Sequence, residues 1–226
     1  MNIFEIEQIS LPIEGSEDRF PVNRVYCVGR NYAEHTKEMG GDHEREPPFY
    51  FIKSTDTLLA NGGEVEYPSK TNNVQHEVEL VVAIYKPGKD ILQENALNHV
   101  FGYAVGIDLT RRDLQSEAKK LGRPWDTGKT FEQAAPITAI QPVIKTGHPN
   151  KGKIQLKVNS SIRQIGDINE MIWSVSAAIA NLSTYFELAA GDLLFTGTPA
   201  GVGEILPGDN VMGEIEGVGA LEINVI

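Results

Sequence analysis

An apolar run that carries two acids, Val74 to Ile84 (VQHEVELVVAI), is the strongest constraint that this sequence places on its fold. Its β-branched and aliphatic composition predicts a buried strand. Glu77 and Glu79 lie two residues apart, so in a strand both carboxylates point to one face while Val78 and Leu80 point to the other. Two neighbouring acids beside an apolar interior cannot both stay ionised without a partner, because burial and mutual repulsion raise their pKa values. A divalent cation would remove this conflict.

A third acid, Asp108, ends a second apolar segment that begins at Phe101. Three carboxylates without a cysteine pair or paired histidines favour a hard cation, Mg²⁺ or Mn²⁺, over zinc. The alternative is that Glu77 and Glu79 are the solvated face of a half-exposed strand, and the two acids alone leave both interpretations open. A zinc-protease motif is excluded because position 80 is Leu, and His76 is interpreted as a core or edge histidine on the opposite face.

Composition narrows the classes of function. The 226 residues are 41% hydrophobic and 23% charged, and we interpret 1–226 as one domain with an N-terminal edge strand and turn at 1–22. A net charge of −11 argues against nucleic acid and anionic membrane surfaces as partners. The single Cys27 excludes internal disulfides, and no secretory signal or bilayer-spanning stretch is visible, so a cytoplasmic protein is expected.

Strand patterns outnumber helical ones, which indicates a β-rich mixed α+β fold with few helices. An edge strand is expected over 2–9, where apolar and acidic residues alternate. Hairpin turns are expected at Asn61-Gly62-Gly63 and at Asn159-Ser160.

Three helices are expected. A short one over 31–39 precedes a glycine-containing mobile loop that runs to Glu46. A second begins at a Thr110 cap and ends near Leu121, before Gly122. The longest covers 169–188, where apolar residues recur at helical spacing.

His35 and Glu38, within GRNYAEHTKEMG, are three residues apart and share one face if this segment is helical. A carboxylate beside an imidazole orients it and raises its basicity, as a general base acting on water requires. A surface ion pair is the alternative.

Four further residues are candidates for binding or charge stabilisation. Arg112 and Gln115 follow Asp108 closely enough to reach a bound anion; surface solvation is the alternative for both, and it is preferred for Arg111. Lys129 either stabilises a developing oxyanion or extends to solvent. The loop TGTPAGVG offers backbone N–H groups and the Thr198 hydroxyl to a carboxylate or phosphate, but it lacks the features of a nucleotide-binding loop.

Six ordered motifs resemble the fumarylacetoacetate hydrolase family, particularly its small acylpyruvase and oxaloacetate decarboxylase members. They are CVGRNYAEH, FIKSTD, HEVELVV, GYAVGIDLTRRDLQ, GRPWDTGKTFEQAAP and DLLFTGTPAGVG. The resemblance implies a β-rich catalytic roll, commonly a homodimer. It places Mg²⁺ or Mn²⁺ on Glu77, Glu79 and Asp108 and makes His35 and Glu38 a water-activating pair on a lid. It assigns charge stabilisation to Lys129 and substrate binding to Arg30, Arg112, Gln115 and Thr198.

The implied reaction is cleavage of a C–C bond in a small 2-oxo acid such as an acylpyruvate or fumarylpyruvate. Water activated by His35 attacks the distal carbonyl and leaves a pyruvate enolate, whose charge the metal and Lys129 share. Oxaloacetate decarboxylation and 2-oxo acid isomerisation in the same site are alternatives. A non-catalytic, metal-assisted dicarboxylate binder is the alternative from another class.

Overall fold

The computed structural model of the protein describes residues 3–38 and 47–226. Within them the strands are β1 (Ser10–Pro12), β2 (Arg19–Pro21), β3 (Arg24–Gly29), β4 (Phe49–Lys53), β5 (Leu58–Ala60), β6 (Gly63–Val65), β7 (Val74–His76), β8 (Val78–Ile84), β9 (Val100–Ile107), β10 (Thr110–Arg111), β11 (Ala135–Ile137), β12 (Gln141–Pro142), β13 (Lys153–Val158), β14 (Ser161–Asp167), β15 (Asp192–Phe195), β16 (Gly203–Ile205), β17 (Asn210–Ile215) and β18 (Gly219–Val225).

The helices are fewer and mostly short. They are α1 (Ala33–Glu38), α2 (Arg112–Leu121), α3 (Asp126–Lys129), α4 (Val143–Thr146) and α5 (Val175–Tyr185), with 3-10 turns at Thr55–Thr57, Gln93–His99 and Ile168–Glu170. This confirms the predicted β-rich roll with few helices. None of the described helices is long and apolar enough to cross a bilayer.

A mixed eight-stranded sheet forms the centre of the molecule. Seven strands run in the order β4-β3-β15-β8-β9-β11-β5, and β12 also pairs with β9. Strand β8 lies inside this sheet and is buried along its whole length. Both faces are covered, because Val82 belongs to the larger hydrophobic cluster and Val81 to the smaller one. A charged side chain on β8 is therefore placed in the interior.

A five-stranded sheet, in the order β14-β13-β17-β18-β6, packs against one face of the central sheet. Its inner side chains, including Leu156, Val211 and Ile223, join the cluster that contains Leu80 and Val82. The Asn159-Ser160 hairpin is confirmed: both residues have positive φ, 49° and 66°, and they connect β13 to β14.

The apolar run at 74–84 is buried as predicted, but it is not one strand. It breaks at Glu77: β7 pairs with β10 and β16 in a three-stranded sheet, whereas β8 enters the central sheet. The chain thus changes sheets at the first of the two acids. Alternation still brings Glu77 and Glu79 together.

One strand prediction and one hairpin prediction are wrong. Residues 3–9 form no strand, since no described strand pairs with them, and the Ile3 side chain is 99% exposed. The turn at Asn61-Gly62 exists, with positive φ at both residues, but it is not a hairpin turn. Its flanking strands lie in different sheets, since β5 pairs with β11 and β6 pairs with β18.

The second predicted helix ends as expected but begins later. Gly122 is its C-cap in the left-handed conformation, with φ 62°. Thr110, however, is in β10 opposite Gln75, and its hydroxyl bonds within the buried site rather than capping the helix. Arg111 is the N-cap residue, without a side-chain cap bond.

The predicted helix over 169–188 is shorter, because Asn31 interrupts its beginning. The backbone carbonyl of Asn31 accepts from Ile172 N, and its side-chain Oδ1 accepts from Trp173 N at 2.7 Å. These two amides are therefore withdrawn from helical bonding, and α5 starts after Ser174, whose hydroxyl caps it. Helix α1 confirms the first helical prediction, and the predicted loop at 40–46 lies outside the described residues.

Candidate active site

Three buried carboxylates meet at one end of the antiparallel strand pair β8 and β9. Glu79 lies at the beginning of β8, Glu77 precedes that strand, and Asp108 follows β9, which pairs with it. Each of the three offers one oxygen, and these atoms lie within 4.8 Å of one another. The side chains are buried, with 5% or less of each residue exposed. The solvated-face alternative for Glu77 and Glu79 is therefore excluded.

Lysine and arginine side chains surround these acids. Lys129 Nζ lies 2.8 Å from Glu77 Oε2, 2.7 Å from Asp108 Oδ2 and 2.7 Å from Thr110 Oγ1. Arg112 Nη2 donates to Glu77 Oε1, which makes this a buried ion pair. The alternative that Lys129 extends to solvent is excluded, because it is 2% exposed.

The two glutamates differ in their electrostatic balance. Burial alone would raise the pKa of Glu77, but Lys129 and Arg112 hold it below its ordinary value. Burial raises the pKa of Glu79 well above its ordinary value, and the charges of Asp108 and Glu77 raise it further. The cost of burying ionised acids side by side is therefore offset at Glu77 by Lys129 and Arg112. It is not offset at Glu79.

This donor set fits a hard divalent cation. It consists of carboxylate oxygens, which Mg²⁺ and Mn²⁺ prefer. Asp108 Oδ1 is buried and accepts no hydrogen bond from the described residues, although Lys53 Nζ lies 2.8 Å away as a charge partner. A cation here would also offset the charges that raise the pKa of Glu79. Glu77, Glu79 and Asp108 are the residues that would hold it.

His35 and Glu38 lie on α1 as the spacing predicted. His35 Nδ1 is 3.3 Å from Glu38 Oε2, and His35 is only 6% exposed, so the surface ion-pair alternative does not describe this imidazole. Burial lowers the pKa of His35, and the charges of Glu77 and Glu38 offset this only in part. Glu38 also accepts from Gly201 N at 3.1 Å, which ties α1 to the glycine-containing loop.

The remaining predicted residues lie around the same cavity. Arg30 has positive φ, 57°, and places its guanidinium 5.9 Å from the Phe49 ring centroid. Gln115 Oε1 accepts from Arg112 Nη1 at 2.7 Å. The Thr198 hydroxyl donates to Val78 O at 2.8 Å, so its proton is used inside the protein rather than offered to a ligand.

One cavity thus collects nine of the ten predicted site residues among its lining, which includes Arg30, His35, Glu77, Glu79, Asp108, Arg112, Gln115, Lys129 and Thr198. Glu38 is the tenth, and it reaches the cavity through His35. Sequence positions from 30 to 198 are therefore brought to one place by the fold.

Several residues that support or line the cavity were not predicted individually from the sequence. Lys53, at the end of β4, is fully buried, and its ammonium donates to the carbonyl oxygens of Leu109, Lys129 and Ala134. The sequence does contain a signal for Lys53, which is a lysine at the end of the apolar segment Phe49–Lys53. Phe49, Phe51 and Trp125 form an aromatic wall of the cavity, and their sequence pattern does not distinguish a wall from an ordinary core.

Comparison with known proteins identifies the family. The model of the fumarylacetoacetate (FAA) hydrolase C-terminal family matches residues 24–226. The crystal structure of fumarylpyruvate hydrolase from Pseudomonas aeruginosa in complex with Mn²⁺ and pyruvate is similar with a TM-score of 0.98 at 49% identity. The alignment covers 100% of this chain and 99% of that one.

Two curated relatives extend the comparison. Fumarylpyruvate hydrolase from a Ralstonia species is 44% identical over 184 residues, which are 81% of this chain and 95% of the relative. The mitochondrial oxaloacetate tautomerase of Mus musculus is 40% identical over 201 residues, or 89% of this chain and 90% of the relative. Because the family model and these relatives cover most of the chain, the protein belongs to the fumarylacetoacetate hydrolase C-terminal domain family.

Proposed function

We propose that the protein is a divalent-metal-dependent hydrolase that cleaves a C–C bond of an acylpyruvate, with fumarylpyruvate as the type of substrate. One observation carries this proposal: a buried all-carboxylate triad and a buried imidazole line the same cavity. The similarity to a fumarylpyruvate hydrolase whose structure contains Mn²⁺ and pyruvate supports it.

The cavity residues divide into three tasks. Glu77, Glu79 and Asp108 hold the cation, which when bound supplies positive charge against the negative charge that develops on the substrate. Arg112 and Lys129 add cationic charge at the same place. Arg30 and Gln115 line the remaining wall and orient the substrate, whereas Thr198 lines it with its hydroxyl proton bound by Val78 O.

His35 is the proposed general base. Its lowered pKa keeps the imidazole neutral at pH 7, so it can accept a proton from water, and Glu38 orients the ring through Nδ1. The hydroxyl adds to the distal carbonyl carbon, and the C–C bond to the pyruvate methylene breaks. The bonding electron pair leaves with the pyruvate half, which takes up a proton. Water is consumed, and a carboxylic acid and pyruvate are released.

Turnover with and without metal tests the function. Chelator-treated protein is incubated with fumarylpyruvate or acetylpyruvate, and pyruvate release is measured before and after addition of Mg²⁺ or Mn²⁺. We expect hydrolysis only with the cation, and loss of hydrolysis in Glu79→Gln, because a hard-cation site loses a full ligand charge. The exposed Glu94→Gln is the matched control and should leave turnover unchanged.

A non-catalytic dicarboxylate binder gives a different result. It would bind oxalate in the presence of Mn²⁺, measured by calorimetry, without hydrolysing either acylpyruvate. That combination would overturn the enzymatic proposal while retaining the metal site.

Oxaloacetate is a second candidate substrate, for decarboxylation or tautomerisation. The mouse relative supports it, and so does Gln115: its Oε1 is occupied by Arg112, while its amide N–H groups donate to no described residue. Those donors can hold a second carboxylate without a formal charge.

Two variants separate the reactions. His35→Ala should remove acylpyruvate hydrolysis while a measurable share of metal-dependent oxaloacetate turnover remains, since only hydrolysis needs an activated water. Gln115→Ala should show the opposite bias. Equal losses of kcat/KM on both substrates in both variants would contradict this division.

We further propose that the chain acts as one catalytic domain and as a cytoplasmic homodimer. Ile162, Ile165 and Met212 are exposed on the outer side of the five-stranded sheet, and their strand register places them on one face, which supports an interface there. Sedimentation velocity measures the assembly, and a monomer at micromolar concentration would contradict the dimer.

A further inference from the structure

Helix α2 presents three polar side chains along one face of the cavity. Arg112, Gln115 and Lys119 all line it, and their spacing of three and four residues is that of neighbours on a helix. Arg112 contacts Glu77 at the inner end. Lys119 lies seven residues further along, which is about 10 Å of helix rise. The face therefore extends from the carboxylate triad to the mouth of the cavity.

Two aromatic rings and two cations form the outer part of the cavity, which we call the rim: Arg30, Phe49, Trp125 and Lys119. Phe49 and Trp125 meet edge to face, with centroids 5.5 Å apart and planes at 88°. Lys119 Nζ lies 6.0 Å from the Trp125 centroid, just as Arg30 lies over Phe49. A second cavity shares Phe49, Phe51 and Trp125, so the aromatic wall continues beyond the triad.

The charge at the rim differs from the charge at the inner end. The three inner carboxylates face Lys53, Lys129 and Arg112, so acids and cations are matched there. Lys119, by contrast, forms no ion pair with any acid in 3–38 or 47–226. Burial lowers the pKa of Lys119, and the positive charges of Arg30 and Arg112 lower it further. Lys119 is therefore a positive charge without an acidic partner among the described residues, beside the aromatic surface of Trp125.

We propose that this rim selects the distal half of the substrate, and that Lys119 binds a second carboxylate there while Trp125 packs against a planar conjugated chain. This rests on the proposed hydrolase function and deepens it, because the pyruvate end is common to all acylpyruvates and only the distal end distinguishes them. Lys119 lies about two helical turns beyond Arg112 and the triad, which is where the far carboxylate of an extended small diacid would lie. Trp125 and Phe49 offer the ring surfaces on which an unsaturated chain stacks.

The test compares two acylpyruvates that differ at the distal end. Fumarylpyruvate carries a distal carboxylate on a conjugated chain, and acetylpyruvate carries a neutral methyl group. In Lys119→Gln, the ratio of kcat/KM for fumarylpyruvate to that for acetylpyruvate should fall by roughly 10- to 100-fold, the usual effect of losing a hydrogen bond to a charged group. Lys119→Glu should lower the ratio further, and Lys119→Arg should largely restore it.

Lys120→Gln is the matched control, because it removes the same charge from the next residue of α2, which is exposed and does not line the cavity. It should leave the ratio within about twofold of wild type, as expected for a screened surface charge. A general electrostatic effect of net charge would lower the ratio equally in both variants and would overturn the assignment of Lys119.

Trp125→Leu tests the aromatic part separately. The comparison is fumarylpyruvate against succinylpyruvate, which has the same charges and a saturated chain. We expect the preference for the conjugated chain to fall by roughly threefold to tenfold, since a stacking contact is replaced by an aliphatic one. An unchanged preference would overturn the role of Trp125. Wild-type protein that hydrolyses none of these substrates would instead refute the proposed function, so the two failures are distinguishable.

Discussion

Lys53 shows how a single buried side chain supports the site without lining the cavity. Its ammonium lies 2.8 Å from Asp108 Oδ1 and donates to three backbone carbonyls, one of which belongs to Lys129. It thereby balances the charge of Asp108 and fixes the segment that carries Lys129. Such a buried cation is costly to remove, because Asp108 then loses a charge partner and the carbonyls of Leu109 and Lys129 lose a donor.

Replacement of Lys53 by Met should therefore destabilise the fold strongly. We expect the free energy of unfolding to fall by about 3–5 kcal/mol, the usual cost of breaking a buried ion pair. Urea denaturation measures this, with the exposed Lys86→Met as a control that should change stability by less than about 0.5 kcal/mol. A loss below about 1 kcal/mol for Lys53→Met would show that Asp108 needs no such partner.

The lowered pKa of His35 allows a prediction of how hydrolysis depends on pH. In the proposed mechanism the neutral imidazole is the active form, so kcat/KM should be lost as the pH falls through the His35 pKa. Burial lowers that pKa from its ordinary value of 6.5, which places the acid limb below pH 6.5. In Glu38→Gln the carboxylate charge that raises the pKa is lost, so the limb should move to still lower pH, with kcat reduced by roughly 10²-fold or more.

Glu34→Gln is the control for this profile, because Glu34 is on the same helix and pairs with Lys37 on its exposed side. Its acid limb should coincide with that of wild type. An acid limb in Glu38→Gln that stays in place or moves to higher pH would contradict the role of Glu38 as the partner of His35.

At the scale of elements, the loop at 197–202 is held by side chains from three directions. Gly197 N donates to Glu79 Oε2 at 2.6 Å, and Gly201 N donates to Glu38. Gln164, buried on β14, donates to both Thr198 Oγ1 and Pro199 O at 2.8 Å. Its Oε1 also accepts from Val78 N and contacts His76 Nδ1 at 3.0 Å. This one amide connects the five-stranded sheet to the loop and to the break beside Glu77.

Gln164→Leu should consequently affect catalysis as well as stability. We expect kcat/KM to fall by roughly 10-fold or more, because a small displacement of a site wall is costly. Gln155→Leu is the matched control: Gln155 is also buried, on the neighbouring β13, but it bonds Glu214 and not the loop. Both variants should lose about 1–3 kcal/mol of stability. Equal losses of activity in both would assign Gln164 a purely structural role.

In the molecule as a whole, the proposed metal site lies where the chain passes from one sheet to another. Glu77 is between β7 of the three-stranded sheet and β8 of the central sheet, and Asp108 N donates to its carbonyl at 2.8 Å. The carboxylates are brought together only by the folded protein. An ion that binds them therefore stabilises the folded state over the unfolded chain.

Mn²⁺ should raise the thermal midpoint of the wild-type protein. At a free concentration about 100 times its Kd, one bound ion adds about 2.7 kcal/mol, which corresponds to several degrees for a domain of this size. Differential scanning fluorimetry measures the shift, and Asp108→Asn should abolish most of it. A midpoint that is independent of Mn²⁺ in the wild-type protein would contradict the proposed site.

The local features of the fold and of the site are predictable from the amino-acid sequence. Composition indicated buried β8 and β9, alternation placed Glu77 and Glu79 on one side, and a positive-φ residue after α2 was predictable from Gly122. The pairing of His35 with Glu38 followed from helical spacing. These features depend on residues within a few positions of one another, which is the range over which periodicity and backbone sterics act.

Features that depend on partners distant in the sequence became visible only in the folded protein. Asn31 shortens the predicted long helix from 142 residues away, and Lys53 meets Asp108 across the core. The Thr198 hydroxyl is bound by Val78 O and Gln164 rather than offered to a ligand. Such hydrogen bonds and ion pairs are decided by which groups are buried together, because a buried polar group must find a partner wherever the packing supplies one.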